Sequence, residues 1–157
     1  MVNSKNKSTQ LVAAKPDCCL PRSGRKVSVS QFGKKLVVDF VDAKSKSVVC
    51  DFDGCLTKNQ ISPDYAISNA AEDTIFAELK GKDVMHAIRQ ISAGLDWWLA
   101  QKRPLARRAG VIVCNEVPRI QTKIQLAKHN LAKKYGAPVH IFSRDMVDGK
   151  FDILIEF

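Results

Sequence analysis

The 157-residue sequence predicts an α/β domain with a mixed central β-sheet flanked by helices. Three observations carry this expectation. Up to residue 80 the apolar residues come in short runs or alternate with polar ones, as strands do. From Val84 onward they recur at helical spacing in two separate stretches, and the apolar runs 109–114 and 139–143 follow those stretches, so helix and strand alternate. A hydrophobic content of 45% is enough for a core in one domain of this length.

Residues 1–26 are rich in Ser, Lys, Asn and Arg, carry Pro16 and Pro21, and show almost no apolar periodicity. They are expected to form a flexible basic arm, with the folded domain spanning 27–157. Within the domain, 27–30 alternates, and 36–41 and 48–52 are β-rich runs whose polar link, 42–47, reads as a hairpin connection. Two further runs, 65–68 and 74–80, flank the five residues 69–73 and predict an antiparallel hairpin. Gly81 ends the second run, and Asp83 is placed to cap a helix reaching about Gln101. Val84, Ile88, Ile91, Leu95 and Trp98 share one face of that helix, which assigns them to the core.

After the break at Lys102-Arg103-Pro104, residues 109–114 suit a buried strand. A second helix is expected to begin near Pro118, with Ile120, Ile124, Ala127, Leu131 and Tyr135 inward and Lys123, Lys128, Lys133 and Lys134 outward. Gly136 and Pro138 should stop it. Residues 139–143 form another strand, and 151–157 a last strand or a docked tail.

Charge is unevenly spread along the chain. Lys and Arg outnumber Asp and Glu 8 to 1 over residues 1–35 and 9 to 1 over 102–134, whereas 36–101 holds 6 basic and 10 acidic residues. Basic flanks around an acidic centre suit a protein that grips a polyanion and holds a cation at its middle. No apolar run has the length of a membrane span, and the N-terminus lacks the apolar segment of a signal peptide, so a soluble cytoplasmic protein with no membrane partner is expected. Cysteines 18, 19, 50, 55 and 114 lack the spacing of metal ligands, which points to structural or reduced thiols.

The stretch from Pro63 to Gly81 carries the chemistry. If 74–80 is a strand, Glu78 and Lys80 share one face while Leu79 turns to the core. Pro63-Asp64, thirteen intervening residues and Glu78-Leu79-Lys80 resemble the signature of the PD-(D/E)xK nuclease superfamily. The likeness in element order runs over roughly residues 48–143, and F-A-E-L-K-G followed by K-D-V-M-H-A-I-R-Q-I looks like small stand-alone members.

The resemblance implies a restriction endonuclease-like core and a metal-dependent nuclease acting on nucleic acid, DNA in the first place. Asp64, Glu78 and the Leu79 carbonyl would hold Mg²⁺ or Mn²⁺, and Lys80 would position or activate water. Gln90 matches a polar helix residue that supports the site in several branches, and His86, one turn away, could assist. Many members also supply a glutamate from a helix ahead of the first motif. No Glu precedes Glu72 here, so Asp53, or else Asp39, is left to stand in.

Two carboxylates suffice chemically, because Mg²⁺ takes hard oxygen ligands and keeps several waters. Lys82, Arg107, Arg108, Lys123 and Lys128 are the expected phosphate contacts. A homodimer is compatible with this reading. Two rivals stand beside it. A non-catalytic nucleic-acid-binding module would explain the basic blocks and the missing glutamate. A haloacid dehalogenase-like phosphatase would use Asp51 as nucleophile and Asp53 as acid/base, since V-V-C-D-F-D-G-C-L-T resembles the first motif of that family.

Overall fold

A computed structural model describes residues 17–79, 82–101, 106–117 and 121–157. Nine strands are seen among them: β1 (Cys19–Ser23), β2 (Lys26–Gln31), β3 (Lys34–Asp39), β4 (Lys46–Asp51), β5 (Tyr65–Asn69), β6 (Thr74–Leu79), β7 (Arg108–Cys114), β8 (Val139–Ser143) and β9 (Met146–Lys150). The helices are α1 (Val84–Ala100), α2 (Gln121–Tyr135) and the single turn α3 (Phe151–Leu154).

Six strands form one mixed sheet in the order β1-β4-β5-β6-β7-β8, antiparallel from β1 to β6 and parallel from β6 to β8. Strands β2, β3 and β9 form a second, smaller sheet. The helices α1 and α2 cover one face of the large sheet, where Phe76, Ile91, Leu95, Ile112 and Ile124 belong to one core. Leu36, Val38, Ile75, Val111 and Phe151 belong to the other core, between the two sheets. Strands β6 and β7 are buried along their whole length, which is why they read as nearly continuous apolar runs.

The two long helices form as their periodicity predicts. Asp83 caps α1 by accepting the His86 N–H at 2.9 Å, and Val84, Ile88, Ile91, Leu95 and Trp98 are buried. Helix α2 buries Ile124, Leu131 and Tyr135 and ends at Gly136. Its expected start at Pro118, and Ile120, lie outside the described residues, as does the break at Lys102-Arg103-Pro104.

Three features differ from expectation. Strands β3 and β4 do not make a hairpin: β3 pairs with β2 through the two-residue turn Phe32-Gly33 and with β9 in parallel, and residues 40–45 cross from the small sheet to the large one. Both strands present an apolar face, so their pattern satisfies either pairing. The arm does not reach residue 26, because β1 pairs with β4 as an edge strand and is anchored by disulfides Cys18–Cys55 and Cys19–Cys50. Residues 1–16 lie outside the described residues.

The third concerns what covers the large sheet. Helices flank only one of its faces, the other being covered by the small sheet. Of the two forms expected for the C-terminal apolar stretch, the docked tail is the one seen: Phe151, Leu154 and Ile155 dock as a helical turn against that small sheet, and Phe40 stacks on Phe151 with centroids 4.9 Å apart. Cys114, on β7, is free and buried, and burial pushes its thiol pKa up. No helix among the described residues is long and apolar enough to cross a membrane.

Candidate active site

The hairpin β5–β6 brings the two carboxylates together. Tyr65 pairs with Ala77, so Asp64 and Glu78, the next residue on each strand, lie side by side. Glu78 Oε2 accepts the Asp64 N–H at 3.1 Å, and Asp64 Oδ2 accepts the Leu79 N–H at 2.9 Å. Each acid thus holds the other's strand. Both are buried, Asp64 at 8% and Glu78 at 2% exposure, a placement carboxylates take only when something answers the charge.

Strand alternation sets their direction. Phe76 is in the core beneath the helices and Leu79 in the core beneath the small sheet, so Glu78 faces α1 and Leu79 turns inward as the sequence predicts. Helix α1 comes close because Gly94 leaves room: a Cβ there would sit 2.6 Å from Pro63 Cγ. On the same helix Gln90 is buried and its Nε2 donates to the Ser62 carbonyl at 3.2 Å, which steadies the backbone leading into Pro63-Asp64.

Asp53 is next to this corner without joining it. Its N–H donates to the Pro63 carbonyl at 3.1 Å, extending the β4–β5 ladder, and its exposed carboxylate accepts from Ser62 Oγ at 3.3 Å. Among the described residues no three Asp, Glu, His or Cys side chains converge as a metal site. The other stand-in, Asp39, is in the small sheet. There the Arg25 guanidinium bonds both its oxygens, at 2.9 and 3.0 Å, and holds its pKa down to about 2.

Lys80 lies outside the described residues. The expected phosphate contacts divide. Lys82 and Lys123 are exposed and Lys128 is half-buried. Arg107 is instead engaged in an ion pair: Nη2 meets Asp73 Oδ2 at 3.0 Å and Nη1 meets Glu156 at 3.5 Å. Arg108, on β7, is buried and its Nη1 donates to the Tyr135 carbonyl at 3.4 Å. A basic run usually faces water, but the start of β7 turns Arg108 into the core and Arg107 onto the hairpin's acid. His86 is half-buried beside the Asp83 cap.

Two residues of this corner escape sequence reading. Ser62 links Gln90 through its carbonyl and Asp53 through its hydroxyl, and only the Ser-Pro-Asp turn hints at it. Tyr65, the residue after Asp64, donates its Oη to the Ser30 carbonyl at 3.1 Å and so ties the small sheet to the site. Burial first, then the carboxylates of Asp51 and Asp64, raise its phenol pKa. Asp51 itself is exposed at the end of β4, a strand antiparallel to both neighbours. The chain matches no protein-family model, no curated protein and no solved structure.

Proposed function

We propose that the chain is a Mg²⁺- or Mn²⁺-dependent nuclease acting on DNA, with Asp64 and Glu78 as metal ligands. The observation that carries this reading is the pair of buried carboxylates set side by side on adjacent strands beneath Gln90. The meander β4-β5-β6, followed by parallel β7 and β8 with helices between, is compatible with the strand and helix order that the resemblance implies, and it supports the same reading.

The donor set fits a hard dication. Two adjacent carboxylates repel, and a cation between them offsets both that repulsion and their burial. Mg²⁺ needs no further protein acid, since water fills its remaining positions. Asp64 and Glu78 would hold the ion, with the Leu79 carbonyl as third donor. When bound, it lowers the pKa of a water and stabilises charge on the phosphoryl oxygens. Gln90 keeps Asp64 in place through Ser62. Lys80 would orient the attacking water, an assignment that rests on the sequence. Lys82, Lys123 and Lys128 would hold substrate phosphates.

The test is a cleavage panel of duplex, branched and single-stranded DNA and RNA with Mg²⁺ or Mn²⁺. Glu78→Ala and Lys80→Ala should each abolish cleavage and leave DNA binding; full activity in both variants overturns the site. A second reading, a binding module without catalysis, is favoured by the failure of Asp53 to converge on the pair. It predicts salt-dependent DNA affinity and no cleavage with either metal. The phosphatase reading loses support, because Asp51 ends an antiparallel strand and Cys50 and Cys55 of its motif are bridged.

A cytoplasmic setting suits a nucleic-acid substrate, while the two disulfides pull the other way, since such bonds persist in oxidising compartments. Thiol titration of the protein denatured without reductant decides between them. A homodimer would let two sites meet both strands of a duplex, which sedimentation with and without DNA reads directly.

A further inference from the structure

Phe32 and Gly33 form the tip of the β2–β3 hairpin, with φ of +50° and +76°. Positive φ at both positions of a two-residue loop is the type I′ pattern, whose preferred sequence is Asn-Gly. A bulky aromatic in the left-handed region is an outlier. Phe32 is also 84% exposed, so packing within the chain does not explain it. Local structure disfavours this residue and the core does not use it.

Its position supplies a reason. Ser30, two residues before Phe32, accepts the hydrogen bond from Tyr65, the neighbour of Asp64. Two residues of extended strand span about 7 Å, so the tip lies at the end of the molecule that holds the acid pair, on the small-sheet side of the large sheet rather than the α1 side. Beside it, the Lys35 N–H donates to the Asp145 carbonyl at 2.9 Å, which brings Arg144 alongside. Lys35 and Arg144 are exposed, while the Asp145 carboxylate is already paired with Lys34 Nζ at 2.6 Å. The Arg144 guanidinium lies over the Phe142 ring, 5.6 Å from its centroid; an exposed ring on a hairpin whose neighbouring strand positions carry exposed cations is a platform for a base and its adjoining phosphates.

We propose that Phe32 is a base-stacking pin: its ring stacks on an unpaired nucleobase of a DNA strand whose phosphates lie against Lys35 and Arg144, at the end of the molecule that also holds the acid pair. Such a pin selects substrates with single-stranded or splayed bases over intact duplex, where stacking is already satisfied. The inference takes its nucleic-acid partner from the nuclease reading, but its test does not depend on cleavage.

The full chain is titrated in EDTA with a single-stranded oligonucleotide carrying 2-aminopurine, and with the matching duplex. Phe32→Asn restores the preferred turn residue and removes the ring. It should raise Tm by about 2 °C while weakening single-strand binding roughly 10-fold, and duplex affinity should stay within about twofold. Phe32→Trp should keep wild-type affinity and the 2-aminopurine quench.

Unchanged single-strand affinity in Phe32→Asn overturns the pin, as does an equal loss for both substrates. A fall in Tm also overturns it, by showing that the ring serves the fold. The nuclease reading fails separately, if Glu78→Ala and Lys80→Ala cleave as wild type does or if no substrate is cleaved with either metal.

Discussion

The β5–β6 hairpin has buried acids at both ends, Glu72 and Asp73 at the turn and Asp64 and Glu78 at the other, and the two ends hold them differently. At the turn, Asp73 is 8% exposed and accepts the Arg107 backbone N–H at 2.9 Å, Nη2 at 3.0 Å and Nε at 3.3 Å, with Asn69 completing the set. One guanidinium fork meets one carboxylate, an arrangement that holds the loop to the start of β7. At the other end two carboxylates lie against each other, each taking a backbone amide from the opposite strand. Burial is therefore shared by both ends and identifies neither. What separates them is that Asp73 at the turn meets a guanidinium, while Asp64 and Glu78 each take a backbone amide of the other's strand.

The largest effect should come from splitting the two ends by mutation. Glu78→Gln keeps an oxygen for the Asp64 N–H and removes one of two adjacent charges. Cleavage should fall by roughly 10³-fold or more, with Tm in EDTA unchanged or higher and the stabilisation by Mg²⁺ gone. If Glu78→Gln instead loses stability and keeps Mg²⁺-dependent cleavage, the strand end is a structural acid like Asp73 and the contrast collapses.

Covalent bonds also belong to one end. Cys55 sits in the loop that carries Asp53, and Cys50 lies next to the last residue of β4, so both disulfides brace the site side of the large sheet. They close spans of 37 and 31 residues. Loop entropy assigns each about 3–4 kcal/mol when closed alone, less for the second because the spans overlap. Reduction under native conditions should lower the denaturant midpoint accordingly and impair cleavage more than DNA binding. An unchanged midpoint on reduction would show that β1 is held by its ladder and core contacts alone.

Much of this contrast is legible in the sequence and some of it is not. The hairpin, its loop and both long helices rest on local periodicity, and the spacing of Asp64 and Glu78 becomes a meeting of side chains once strand alternation is assumed. Sheet membership is not local. Val27, Val29, Leu36 and Val38 are buried in a sheet different from that of Val48 and Cys50, yet both sets show the same alternation, and residues 42–47 carry no mark of a crossing. Strand β9 buries only Val147, too little pattern to show. Which of five cysteines pair is likewise beyond a linear reading. Arg107 and Arg108 looked like surface cations because the acid and the carbonyl that bind them are 34 and 27 positions away.

The turn end gives a smaller effect. Asp73→Ala removes a carboxylate that a half-exposed guanidinium answers, and leaves the Arg107 amide without its acceptor. A loss of about 1–2 kcal/mol is expected, discounted because the Arg107 side chain is 52% exposed. Cleavage per folded molecule should stay at the wild-type level. A drop in cleavage beyond the loss of folded protein would mean that the turn sets the geometry of the site, and that the two ends are coupled.

The smallest effect concerns a further buried acid, Asp39, which meets a guanidinium as Asp73 does. Asp39 accepts both Arg25 hydrogen bonds, and these, aided by the Val41 N–H and opposed by burial, hold its pKa at about 2 against an ordinary value of 3.8. Because the folded value is the lower one, the contribution to stability is fully present above pH 4 and is lost as pH falls from about 4 towards 2. Thermal unfolding from pH 5 to pH 2 should show this slope in the wild type, and Asp39→Asn should flatten that part of the profile. An unaltered acid slope in Asp39→Asn would show that the Arg25 pairing does not set the acid sensitivity of the fold.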